Sequence, residues 1–66
     1  MSLRTKIREL RLRDRLSQEE LAQRVGVRRE TIGHLGNGHY NPSLKLAMDI
    51  AKVFGCTVEE LFFFED

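Results

Sequence analysis

The chain has 66 residues, 41% of them hydrophobic and 32% charged, with a net charge of +1. That length holds one small domain over 1–66, marginally stable because so short a chain buries only about 60% of its unfolded surface. One cysteine excludes an internal disulfide, no Cys/His cluster has metal-ligand spacing, and no apolar run nears the ~20 residues that span a bilayer, so a cytoplasmic chain with no cofactor, no metal and no membrane partner is expected.

Turn signals arrive every ten to fifteen residues and no segment alternates with period two for long, which predicts an all-α domain of five short helices. Leu3, Ile7 and Leu10 share a helical face and predict a first helix from about Leu3 to Arg15. Ser17-Gln18-Glu19-Glu20 is a capping box that opens a second helix, with Leu21, Ala22 and Val25 inward and Gly26 as a left-handed stop. A third helix is expected from about Arg29 to Leu35, before Gly36-Asn37-Gly38. Asn41-Pro42 reads as an N-cap followed by proline at the first helical position, opening a fourth helix to Phe54 with Leu44, Ala47, Ile50, Ala51 and Phe54 buried. Gly55 ends it, and Thr57-Val58-Glu59-Glu60 is a second capping box, leading a short fifth helix into Leu61-Phe62-Phe63-Phe64.

Charge divides along the chain. Residues 1–34 carry nine Lys/Arg against five Asp/Glu, a balance of +4, and residues 35–66 carry two against five, a balance of −3. A basic half beside an acidic half suits a molecule with one face for a polyanion, and equally a solvated charged surface.

The stretch from Gln18 to Asn37 is the most informative. Two short helices joined by a glycine turn cross steeply only if the first offers a small side chain at the contact, and Ala22 is that residue. Gly26 supplies the turn, and Leu21, Val25, Val27, Ile32 and Leu35 are apolar where the pair would face a core. This is the pattern of a helix-turn-helix over about 18–37, whose second helix is held out for a DNA major groove.

The run Leu16-Ser17-Gln18-Glu19-Glu20-Leu21-Ala22, then Gly26-Val27, Glu30-Thr31-Ile32, Asn37-Gly38 and Tyr40-Asn41-Pro42-Ser43-Leu44, resembles the Cro/CI (XRE-type) repressor family. The ending Phe54-Gly55-Cys56-Thr57-Val58-Glu59-Glu60-Leu61-Phe62 is similar to the close of that domain, and in length the chain looks like its short stand-alone members. The resemblance implies a five-helix lambda-repressor-like fold and a transcriptional repressor that binds a palindromic operator in double-stranded DNA as a homodimer. It places base reading at Arg29, Glu30, Gly33 and His34. Arginine can donate two bonds to guanine, glutamate can accept from cytosine N4, and histidine can do either. It places phosphate contacts at Gln18, otherwise a solvated surface glutamine, and at Asn37, which can also serve to tolerate a left-handed turn between two glycines. The first stands where free backbone N–H groups of a helix start can help to grip an anion.

Three residues of the third helix cost stability. Arg28 and Arg29 stand at the positive end of the helix dipole, where a cation costs roughly 0.3–1 kcal/mol, and mid-helix Gly33 costs about 1 kcal/mol against alanine. A helix selected for stability alone would not hold them. The sequence also departs from the family. Arg28 stands where a capping serine is common, making it a phosphate candidate. Gly36 stands where a glutamate often pairs with an arginine at the place of Arg11, which leaves Arg11 either solvated or free for a phosphate. His39 and Lys45, near the next loop and helix start, are further phosphate candidates, and Tyr40 is as readily a packing residue.

Three consecutive aromatics cannot all enter one small core, and leaving them wet exposes an apolar patch. A two-fold interface through Leu61, Phe62, Phe63 and Phe64, in a dimerisation segment of about 57–66, is the simplest remedy, the tail pairing as a short strand or packing as helix. The other reading is that Phe62 and one neighbour complete the monomer core. Cys56 sits at a helix junction with no histidine near it in sequence, and His34 and His39 do not share one helix at ligand spacing, so catalysis is not expected. No segment for a small-molecule effector is evident. The rival to a repressor is an antitoxin or protein-interaction adaptor on the same fold.

Overall fold

A computed structural model describes residues 2–37 and 41–65. Two short strands bracket five helices: β1 (Ser2–Thr5), α1 (Ile7–Arg13), α2 (Gln18–Val25), α3 (Arg29–Gly36), α4 (Leu44–Phe54), α5 (Val58–Leu61) and β2 (Phe62–Glu65). The five-helix, lambda-repressor-like expectation is met, with a small antiparallel sheet added. Among the described residues no helix is long and apolar enough to cross a membrane.

Local chemistry sets most boundaries. The Ser17 hydroxyl accepts the Glu20 backbone N–H at 3.0 Å while the Ser17 N–H donates to Glu20 Oε1 at 3.0 Å. Thr57 and Glu60 repeat the arrangement at the start of α5. These capping bonds hold both glutamates below the ordinary carboxylate range, the backbone N–H being the main cause in each. Gly26 and Gly55 adopt φ of 73° and 68°, the left-handed conformation that glycine reaches without a Cβ penalty. The residue after each then donates back into the finished helix, Val27 to the Ala22 carbonyl and Cys56 to that of Ala51, both at 3.0 Å.

Three expectations need correction. The first helix begins at Ile7 rather than Leu3, because residues 2–5 are a strand paired with β2 in the register Ser2↔Glu65 to Thr5↔Phe62. Leu3 is half-buried through the strand's alternation, and its four-residue spacing to Ile7 fits either period. Thr5 closes the junction: its Oγ1 donates to the Leu61 carbonyl at 3.1 Å and accepts the Ile7 N–H at 3.2 Å. Second, α4 is capped by Ser43, whose hydroxyl accepts the Leu46 N–H at 3.1 Å, and neither Asn41 nor Pro42 is in the helix. Third, Leu44 is 72% exposed. The buried stripe of α4 runs along Leu46, Ile50 and Phe54 with Ala47 and Ala51 beside it, and Leu44 lies at its margin in the first turn.

The core joins every helix. Ile7, Leu16, Leu21, Ala22, Ile32, Leu35, Leu46, Ile50, Ala51, Phe54 and Leu61 form one cluster. Ala22, the small residue expected at the α2–α3 contact, is 2% exposed within this core.

Candidate nucleic-acid interface

The core contacts of α2 and α3 decide which face is left outside. Ile32 and Leu35 are each 1% exposed and anchor α3. Arg29, Glu30 and His34 are exposed and Gly33 is half-buried, so these four residues form one outward face. Among the described residues no side chains close over it, as insertion into a groove requires.

Gln18, the first residue of α2, lies against that helix. A Cβ on Gly33 would meet Gln18 Nε2 and Oε1, each at 3.8 Å. Gly33 is therefore the floor on which the Gln18 amide rests, a coupling that sequence reasoning missed. Asn37 is exposed at the C-cap of α3, with its N–H on the Gly33 carbonyl at 3.2 Å. Gln18 and Asn37 border one depression, from opposite ends of the helix pair.

Arg28 is exposed at the N-cap of α3, and its side chain makes no capping bond. Its φ and ψ, −80° and 153°, match those of the three residues that do cap, Ser17, Ser43 and Thr57. The backbone is set for a cap that arginine cannot supply.

Two phosphate candidates are already engaged. Arg11 is half-buried, and its Nη1 donates to the Leu16 carbonyl at 3.0 Å, closing the α1–α2 turn. It is neither idle nor simply solvated, although most of its five N–H donors are still available. Lys45 Nζ is 2.7 Å from Asp49 Oδ2 along α4. With the lysine side chain 85% exposed the pair is weak, and its ammonium remains accessible. His39 and Tyr40 lie outside the described residues.

The C-terminal residues divide. Leu61 is 0% exposed and belongs to the core of the single chain, so its side chain presents nothing to a partner. Phe62 is half-buried against that core, while Phe63 and Phe64 are 36% and 68% exposed on β2. Lys6 Nζ stands 5.9 Å from the centre of the Phe63 ring, a cation–π contact.

Comparison with known proteins agrees with this geometry. A helix-turn-helix family model matches residues 7–61. An uncharacterized HTH-type transcriptional regulator of Archaeoglobus fulgidus is 58% identical over 64 residues, 97% of this chain and 91% of that one. The cryptic phage CTXphi transcriptional repressor RstR of Vibrio cholerae is 37% identical over 57 residues, 86% of this chain and 51% of that one. The crystal structure of the restriction-modification controller protein C.AhdI from Aeromonas hydrophila superimposes with a TM-score of 0.76 at 34% identity, covering 83% of each chain. The chain belongs to the XRE-type helix-turn-helix family.

Proposed function

We propose that this chain is a homodimeric repressor that binds a palindromic operator in duplex DNA by inserting α3 into the major groove. The observation that carries the reading is the uncovered face of α3, with Arg29, Glu30, Gly33 and His34 side by side and Gln18 lying against Gly33. On this reading Arg29 donates to guanine, Glu30 accepts from cytosine, and His34 serves either way. Gln18, Arg28 and Asn37 grip phosphates around them, joined by Arg11, Lys45 and His39. A repressor among the relatives supports the direction of regulation.

The dimer rests on the exposed Phe63 and Phe64 of β2. A second copy would cover them and set two recognition helices about 34 Å apart, on successive turns of one DNA face. Selection of sites from random duplexes tests the whole reading. The expected result is a palindrome with half-sites about 10–10.5 base pairs apart, bound with salt-sensitive affinity. Arg29→Ala should cost about 1–3 kcal/mol and relax preference at one base of each half-site. Light scattering at micromolar concentration should give a dimer mass, reduced to a monomer by Phe63→Ser with Phe64→Ser. Failure to enrich any sequence, with a stoichiometric protein partner co-purifying instead, would overturn the DNA-binding reading.

A further inference from the structure

Two shallow depressions lie side by side where α1, α3 and β1 meet. The first, of about 160 Å³, is bordered by Arg8 and Arg11 of α1, Gln18 of α2 and Gly36-Asn37 at the end of α3. The second shares Gly36 and Asn37 and runs on to Arg4 of β1. Gly36, which has no side chain, and Asn37 border both depressions. Together they form one groove that starts at Gln18 and ends at the N-terminal strand.

The groove is basic throughout. Three arginines line it and, among the described residues, no acidic residue does. Arg8 and Arg11 are three apart on α1, and so about 5–6 Å from each other at Cβ. Among the described residues neither is in an ion pair, and Arg4 reaches Glu65 only at 3.8 Å with both side chains more than half exposed. A contact that loose and wet holds the arginine weakly. A lone anion would occupy one depression, whereas arginines repeated along a continuous groove suit an anion repeated along a chain. Guanidinium forks match phosphate oxygens.

We propose that this groove is a second stretch of DNA-backbone interface, in which Arg8 and Arg4 hold phosphates beyond those at Gln18 and Asn37 and lengthen the footprint toward β1. The proposal rests on the reading of α3 as the DNA-facing helix and adds residues that neither the sequence pattern nor the family resemblance assigned. Such contacts carry no base information, so they add affinity equally on every sequence.

The test uses the full chain and its selected operator duplex, with affinity measured across NaCl concentrations for wild type, Arg8→Ala, Arg4→Ala, the double variant, and Lys52→Ala as a control outside the groove. The slope of log K against log salt should become shallower by about 0.9 for each phosphate that is no longer held. Operator and unrelated duplex should lose affinity by the same factor, and the control should change neither. Phosphate ethylation that blocks wild-type binding outside the half-site should cease to matter for Arg8→Ala. An unchanged slope in the double variant, with Arg29→Ala still impairing operator binding, overturns this proposal and leaves the recognition-helix reading intact. A change in base preference on Arg8→Ala overturns it too, because a phosphate contact cannot produce one. If Arg29→Ala is also silent, both readings fall together.

Discussion

Gly33→Ala separates what α3 does for the fold from what it does for DNA. Gly33 is the fifth of eight residues in α3 and is not among the glycines with positive φ, so alanine fits its backbone. The added methyl would stand 3.8 Å from the Gln18 amide, an ordinary van der Waals separation that requires no neighbour to move. The helix-propensity gain is then about 0.8–1.0 kcal/mol. For a domain of this size 1 kcal/mol moves the melting temperature by about 4–8 °C. Thermal denaturation at fixed protein concentration, which removes any dimer linkage, should show Tm higher by about that amount. Operator affinity should fall about tenfold or more, since the methyl occupies the face that meets the bases and an overpacked contact costs about 1–3 kcal/mol. An unchanged or lower Tm would refute the claim that Gly33 is a helix position free for alanine. A higher Tm with undiminished operator affinity would remove Gly33 from the DNA face.

Arg28→Ser should supply the missing cap of α3. The gain is about 0.5–1 kcal/mol by urea denaturation, because Thr31 N–H already reaches the Arg28 carbonyl at 3.0 Å, as Glu60 N–H reaches that of Thr57 beside its side-chain bond. The same substitution should weaken DNA binding on all sequences alike and, removing one phosphate contact in each half-site, reduce the salt slope by about 2. Arg15, exposed with φ of 56°, is the one non-glycine residue in the left-handed region among the described residues. Arg15→Gly should raise stability modestly, by about 0.5 kcal/mol, seen as a higher urea midpoint, after the relief of strain is set against the extra freedom of glycine in the unfolded chain. A lower midpoint would mean that the Arg15 side chain holds the α1–α2 turn. Stability should also fall in acid. Glu20 and Glu60 have folded pKa values below the ordinary 4.5, chiefly because the Ser17 and Thr57 backbone N–H groups stabilise their carboxylates. Their contribution is therefore complete above the unfolded value and is lost as pH falls through the lowered folded values. Tm measured from pH 7 to pH 3 should decline below about 4.5, and Glu20→Gln with Glu60→Gln should flatten that limb. Asp14, held low mainly by the side-chain hydrogen bond from Arg13, should retain part of the slope.

What could be read from the sequence was what acts over short range. The two capping boxes span three residues each, and Gly26 and Gly55 mark helix ends through their own backbone freedom. Ala22 announces the close helix crossing by its size. The helix-turn-helix, and with it the outward face at Arg29, Glu30, Gly33 and His34, follows from these local facts. The strand pair does not: Thr5 bonds to Leu61 across 56 residues, and no pattern within β1 or β2 names its partner. The start of α4 is ambiguous in sequence because Asn41-Pro42 and Ser43 both carry start chemistry, and only the geometry shows that Leu46 N–H is received by Ser43. Arg8 carries no signal of its own because its meaning depends on Gly36, which lies 28 positions on and is brought beside it by the packing of α1 against α3.

Local and long-range effects meet in α3, the helix with the poorest local chemistry and the face proposed to meet DNA. It has no side-chain cap and begins with two cations, while Gly33 and Gly36 weaken its second half. It is a helix because Ile32 and Leu35 are buried almost completely. Each such side chain contributes about 1.5–3 kcal/mol relative to exposure, enough to offset an absent cap of about 1 kcal/mol and a glycine of similar cost. Inward residues secure the helix, and outward residues are released from serving it. Local rules are broken only on the side that faces away from the core, and a sequence that breaks them there while keeping them at α2, α4 and α5 has the pattern expected of a recognition surface rather than of an unstable fold.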